Sequence, residues 1–304
     1  MLLKPQTVQN IFKVRLSLSD TCNYRCFFCH NEGRQEVSRK KMNMDNILLL
    51  CSAAYLAGIR SFTFTGGEPF TNKLIFEAIR QVRSTYPDII IKLTTNASYL
   101  RLTDIDFLQE HIDRIRINFQ SPERNIFKML VGYDGLPNLL ILLDALKHTP
   151  THICLNYVYN KLSKDQLKEV INFAITKHIE LKVLELIRND FNSKFYYPIE
   201  TAKEYIESIA STKHKDYQND DVYFIDGYSA KIRLCYAHCN TFDGCSCRLL
   251  GELRISPQMD IYSCMYPKSL RASVLDEKDP LQIAKVICEI DAKKGVCPPK
   301  FDFT

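Results

Sequence analysis

No apolar run in this sequence reaches the length of a membrane span. The N-terminus, MLLKPQTVQNIFK, lacks a charged start, an apolar block and a small-residue cleavage site, so no signal peptide is expected. These two absences point to a cytoplasmic protein with no membrane partner. Blocks of Lys and Arg are missing as well, which argues against a nucleic-acid polymer as partner. The net charge of +5 is spread over the chain. It suits an anionic substrate and equally a solvated basic surface. Internal repeats and low-complexity segments are absent, and no G-x-G-x-x-G follows the first expected strand, which weighs against a dinucleotide-binding sheet.

Cysteine, by contrast, is abundant: 12 residues in a chain of 304. A reducing compartment makes disulfides a poor explanation. Cys22, Cys26 and Cys29 form one group. Cys235, Cys239, Cys245, Cys247 and Cys264 form another. Grouping at ligand-like spacing points to metal. Cys51 and Cys154 stand alone in apolar surroundings and are expected to be small core residues.

Between these groups, strand-like runs alternate with amphipathic stretches. Strands are expected at 14–19, 61–65, 89–95, 113–119, 152–160 and 180–187. Helices are expected at 44–58, 73–86, 102–111, in the stretch up to His148, at 163–178 with Ser163 as N-cap, and at 199–211. Six βα units imply an α/β fold with a parallel sheet. They are too few for a closed eight-stranded barrel, so a partial (β/α)6 TIM-like barrel is expected over residues 1–214. Residues 215–304 form a C-terminal cysteine-rich extension, beginning with a polar break, KHKDYQNDD, and a hairpin around Asp226-Gly227. A short strand pair, ELRIS and IYSCM, and a last helix near 280–292 follow.

In parallel barrels the chemistry sits at the C-terminal ends of the strands. Cys22 follows the first strand, Gly66-Gly67-Glu68 the second and Thr95-Asn96 the third. Asn118 and Gln120 end the fourth, Asn156 lies late in the fifth, and Glu185 late in the sixth. Three thiolates spaced Cys-x3-Cys-x2-Cys can hold three irons of a [4Fe–4S] cube and leave the fourth open. A Cys3His zinc site using His30 is the alternative, but it would crowd four ligands into nine residues. Phe27 and Phe28 suit a water-excluding cluster better. Glu185 is read either as orienting substrate or cofactor, or as a paired structural carboxylate.

Cys22-Asn23-Tyr24-Arg25-Cys26-Phe27-Phe28-Cys29 resembles the signature of the radical S-adenosylmethionine (SAM) enzymes. TGGEP, Thr65 to Pro69, is similar to a second feature of that superfamily, at the edge that holds the methionine amino group. Glycines there would let backbone approach the ligand, and a carboxylate would pair with the ammonium. Within the superfamily, residues from about Lys13 to Tyr266 most resemble the GTP 3′,8-cyclase family of molybdenum-cofactor biosynthesis. The resemblance implies a SAM-binding [4Fe–4S] cluster on Cys22, Cys26 and Cys29. It also implies SAM contacts from Phe28, Gly66, Gly67, Glu68, Thr95, Asn96 and Asn118, and a second [4Fe–4S] cluster drawing on Cys235, Cys239, Cys247 and Cys264, with Cys245 as a further candidate. Reductive cleavage of SAM would give a 5′-deoxyadenosyl radical that takes hydrogen from a substrate near that second cluster. Glu185, Asn156, Arg15 and Arg254 are the substrate-side candidates, and a flavodoxin or ferredoxin the one-electron reductant.

The chain departs from that family where a triphosphate would be gripped. Glu252 replaces an Arg, Cys154 a Lys, Lys182 an Arg, and SFTFT a basic strand. A carboxylate beside a triphosphate costs energy. The substrate-binding residues are therefore altered, and the substrate stays open between GTP, another nucleotide, another small molecule and a peptide, as in radical SAM maturases of ribosomally made peptides. A reading of another class is a zinc-stapled binding module, which leaves Gly66-Gly67-Glu68 and Thr95-Asn96 unexplained.

Overall fold

In the computed structural model of the chain, residues 7–33, 38–240, 251–263, 265 and 271–293 are described, all but the side chain of Cys239. Six parallel strands run in chain order: β1 (Lys13–Ser17), β2 (Ser61–Thr65), β3 (Ile90–Thr95), β4 (Arg114–Asn118), β5 (His152–Tyr159) and β6 (Glu180–Glu185). Between them lie α1 (Met44–Leu56), α2 (Ile75–Thr85), α3 (Ile105–His111), α4 (Arg124–Val131), α5 (Leu136–Leu146) and α6 (Leu167–Lys177). α7 (Glu200–Ile209) follows β6. The result is an α/β fold with a mainly parallel sheet.

Local chemistry sets the boundaries. α1 starts where the Asn43 side chain accepts the Asn46 N–H at 2.8 Å. The helical stretch after β4 breaks in two at Gly132, whose φ of +69° is left-handed. Ser163 does not cap α6 as expected. Its hydroxyl donates to the Val158 carbonyl, and a 3-10 turn at Lys164–Gln166 precedes the helix. The polar break also orders. β7 (Thr212–Lys215) pairs antiparallel with β8 (Asp221–Phe224), and the expected hairpin joins β8 to β9 (Ile232–Cys235).

The C-terminal strands extend the same sheet at both edges. β9 lies parallel to β6, and β10 (Glu252–Ile255) parallel to β1. β11 (Asp260–Tyr262) and β12 (Arg271–Ser273) continue antiparallel beyond β10. The expected boundary at 214/215 thus falls within β7. The last helix, α8 (Pro280–Ala292), packs on α1. Its buried Asp291 accepts the N–H groups of Gln9, Asn10 and Ile11, fastening the segment before β1. Among the described residues no single helix is long and apolar enough to cross a membrane.

Period-two alternation divides the two faces of the sheet. One face carries Leu16, Phe62, Phe64, Leu93, Ile117, Leu155 and Val183, all in a single apolar core. The other carries Arg15, Thr63, Lys92, Arg116, Asn156, Lys182 and Arg254. This charged face curls on itself. Lys13 on β1 and Lys182 on β6 are close enough to repel, and the rings of Phe12 and Tyr217 meet at 5.7 Å. Cys154 is fully buried, as expected, but on this face: its thiol faces Glu180 at 3.7 Å.

Candidate functional site

The loop after β1 carries Cys22, Cys26 and Cys29 as free thiols. The residues after β2 lock it in place. Gly67 N–H donates to the Ser19 carbonyl at 2.7 Å and Glu68 N–H to the Thr21 carbonyl at 2.8 Å. The glycines are needed for this contact rather than for a ligand's approach. A Cβ on Gly66 would lie 2.4 Å from Ser19 O, and one on Gly67 2.5 Å from Thr21 O. Gly66 also has a φ of +150°, which L side chains rarely adopt.

Glu68 is fully buried. It accepts the Thr95 hydroxyl and the Asn96 N–H, each at 2.7 Å. Burial pushes its carboxyl up to about 7, against the pull of those donors. It therefore pins the end of β3 to the end of β2. Asn96 reaches on to Asn23 Oδ1 at 2.9 Å and to the Cys22 sulfur at 3.8 Å. The three sequence-expected segments are brought together at one sheet edge.

The donor set suits an iron–sulfur cube. Backbone N–H groups of Tyr24 and Asn31 donate to the Cys22 and Cys29 sulfurs, each at 3.4 Å. Such bonds tune a cluster's potential. Burial pushes the Cys22 thiol up to about 11 and that of Cys26 well above its ordinary value, so ionisation there calls for a metal. Phe28 is buried edge-on to Phe27, and Phe27 packs on Phe195 at 4.6 Å. A zinc site fits less well. His30 Nδ1 accepts the Glu32 N–H at 3.1 Å. Among the described residues no three His, Cys, Asp or Glu side chains gather around a single-ion position.

Below this loop lies an ion-pair network on the charged face. Arg15 meets Glu32 at 2.6 Å, and Arg254 meets Glu32 and Glu252, each at 2.5 Å. Burial works against the Glu32 carboxylate, but the two guanidiniums hold it well below the usual range. Glu252 is held down to about 2, with Arg254 and Arg15 outweighing its burial. Sequence reasoning missed Glu32. It sits on a left-handed backbone, φ +51°, just after the cysteines. Its only signal is its place in the CHNEG run.

Glu185 is held by hydrogen bonds from three sides. Its oxygens accept Tyr196 OH at 2.9 Å, Asn240 Nδ2 at 3.1 Å and Ala237 N–H at 2.8 Å. It fastens the segment after Cys235 to the end of β6. Cys235 ends β9, half-buried. The Cys239 side chain and Cys245, Cys247 and Cys264 lie outside the described residues. Gln120 is fully buried and donates to Asn118 Oδ1 at 2.7 Å, so it serves the strand end. Asn156 Oδ1 is buried without a partner.

The sequence profile of the Radical SAM superfamily matches residues 16–174, which spans the cysteine loop, the Gly66-Gly67-Glu68 edge and the Thr95-Asn96 edge. The chain belongs to the radical SAM superfamily. This radical SAM enzyme is similar to a probable GTP 3′,8-cyclase of Thermococcus kodakarensis, 28% identical over 84% of this chain and 85% of that protein. A second probable GTP 3′,8-cyclase, from Pyrococcus abyssi, is 27% identical over 90% and 89%. Among solved structures, the radical SAM fold here is similar to Streptococcus suis SuiB bound to SAM, with TM-score 0.65 and 19% identity over 90% of this chain. The chain spans 65% of the length of SuiB. Native anSMEcpe with bound AdoMet gives TM-score 0.62 and 15% identity over 88% of this chain and 79% of that one.

Proposed function

We propose that this radical SAM enzyme binds a [4Fe–4S] cluster through Cys22, Cys26 and Cys29 and modifies a C–H bond of a substrate lying on the charged face, which the sheet encloses as a partial (β/α)6 barrel. The observation that carries the reading is the interlock of the cysteine loop with Gly66-Gly67-Glu68. It holds three thiols at the edge where Thr95 and Asn96 also arrive. When bound, cluster and SAM would supply one-electron radical chemistry, with the electron coming from a flavodoxin or ferredoxin and methionine leaving. The protein's own residues do the rest. Phe27, Phe28 and Phe195 exclude water from the thiols. Glu68 positions Thr95 and Asn96, and Asn96 supports Cys22 and Asn23. Glu185 positions the segment that bears Cys235, the start of a second cysteine group proposed to hold an auxiliary cluster.

The substrate differs from GTP in how its charge is met, because Glu32 and Glu252 already occupy Arg15 and Arg254. A peptide is the second reading. SuiB has been solved with precursor peptide SuiA, and anSMEcpe with a Cp18Cys peptide.

The test is anaerobic incubation of the iron- and sulfide-reconstituted protein with dithionite and SAM. Release of 5′-deoxyadenosine is expected, and a Cys22/Cys26/Cys29 triple-Ala variant should release none. A wild-type protein that carries a full cluster yet yields no 5′-deoxyadenosine overturns the reading. Zinc in place of iron in protein purified anaerobically overturns it too.

A further inference from the structure

The cations of the charged face fall into two sets. Arg15 and Arg254 are neutralised by Glu32 and Glu252. Lys92, Arg116 and Lys182 form no salt bridge with a described residue. Among the described residues Lys92 donates to the Ser61 hydroxyl, at 2.8 Å. Arg116 Nε is buried with no hydrogen-bond partner, and so are Thr94 Oγ1 and Asn156 Oδ1. These orphans lie on neighbouring strands of one face. Thr94 stands opposite Arg116, and Asn156 stands opposite Lys182. Lys182 is itself buried.

Buried charge without a counter-charge is expensive, and so is each orphaned polar atom. Burial and the nearby cations press Lys92 down to about 8. Burial presses Lys13 down to about 7, against the pull of Glu252, and Arg116, Lys182 and Lys92 add to the pressure. An oxyanion would relieve the unpaired cations and the Thr94 hydroxyl at once, and the Asn156 amide would meet it through its NH2 group, its oxygen being an acceptor. Guanidinium and ammonium groups would meet its charge, and a hydroxyl would donate to it.

We propose that Arg116, Lys92 and Lys182 bind an oxyanion of the substrate, a carboxylate or a phosphate, with Thr94 and Asn156 completing the cradle. This rests on the radical SAM reading only in taking the charged face as the substrate's face. The network of Arg15 and Arg254 is then framework, and specificity for the charged end of the substrate lies two to five strands from β1, on β3, β4 and β6. A rival exists at the N-terminal ends of β5 and β6. A groove of about 840 Å³ there is lined in part by Lys147, Lys177 and Lys231.

The test is calorimetric titration of the anaerobically reconstituted protein with sodium phosphate and, separately, sodium malonate at constant ionic strength. Saturable binding of one of them is expected, and which one binds tells phosphate from carboxylate. Arg116→Gln should weaken it at least about tenfold, and Arg116→Lys should recover part of the loss. Thr94→Val, nearly isosteric, should weaken it about threefold and guards against a folding defect in the arginine variants. A Lys177→Met/Lys231→Met variant should bind as wild type does. No saturable binding of either anion overturns the proposal. So does a loss that follows Lys177 and Lys231 instead of Arg116 and Thr94. Assay of 5′-deoxyadenosine on the same samples separates the two ideas: its absence counts against radical chemistry, and the anion result stands by itself.

Discussion

The two faces of the sheet have nearly the same burial and opposite chemistry. Phe62 and Phe64 are fully buried on the helix side, while Lys182 and Glu252 are nearly as enclosed on the other. The apolar face gains free energy simply by leaving water. The charged face gains nothing that way and survives only by pairing. Where pairing is complete, at Glu32, it contributes to the fold. Where it is incomplete, around Arg116, the face is kept for something else.

That contrast can be tested from both sides. Phe64→Ala should cost the most, about 4 kcal/mol in urea unfolding, because it empties a packed core position. A loss under about 1 kcal/mol would mean the helix side is not the structural face. Next, Glu32→Gln should cost about 3 kcal/mol, since it leaves two guanidiniums facing one carboxylate. Adding Arg254→Met should recover part of that. If the double variant is worse than the single, the network is not acting through charge balance.

The acid limb comes third. Glu252 and Glu180 titrate near 2 in the folded chain, below their ordinary 4.5. Their stabilisation is therefore complete above about pH 4.5 and lost as pH falls through 2, on the order of 2 kcal/mol for each. Unfolding followed by circular dichroism from pH 6 to pH 2 should show this slope, and Glu252→Gln should flatten it. Gly67→Ala should cost at least about 2 kcal/mol, because the added Cβ would lie 2.5 Å from the Thr21 carbonyl oxygen and 2.7 Å from its carbon, and backbone yields only at a cost. It should also reduce iron loading, since the strain falls on the cysteine loop. Wild-type loading would show that the loop does not depend on this contact.

Much of this was legible in the sequence. Ser61–Thr65 matches the expected strand residue for residue, because an alternating run stopped by Gly-Gly leaves little freedom. The cysteine loop and the Gly66-Gly67-Glu68 and Thr95-Asn96 edges were readable because spacing and strand ends carry the signal. The reason for the glycines was not. It depends on which backbone passes over them, and only the folded chain supplies that. β9 and β10 were expected as a hairpin arm and as ELRIS, but their pairing with β6 and β1 was hidden, since four-residue strands show no sign of which neighbour they will join. Cys154 looked apolar because its flanking residues are. Period two put it on the charged face beside Arg116. Glu32 had no spacing signature, because its partners come from 17 and 222 residues away.

The pairing of β10 with β1 imposes an order of events on synthesis. β1 and its cysteines leave the ribosome before β2, which follows on one side. On the other side β1 has no neighbour until Glu252–Ile255 has emerged. Until then the Arg15–Glu32 pair lacks Arg254, and the edge of β1 lies open to stray pairing. A chain stopped at the end of the six βα units would thus carry every residue of the cysteine signature and still present them on an unfinished strand. Whatever loads the metal has reason to wait for the last sixth of the protein.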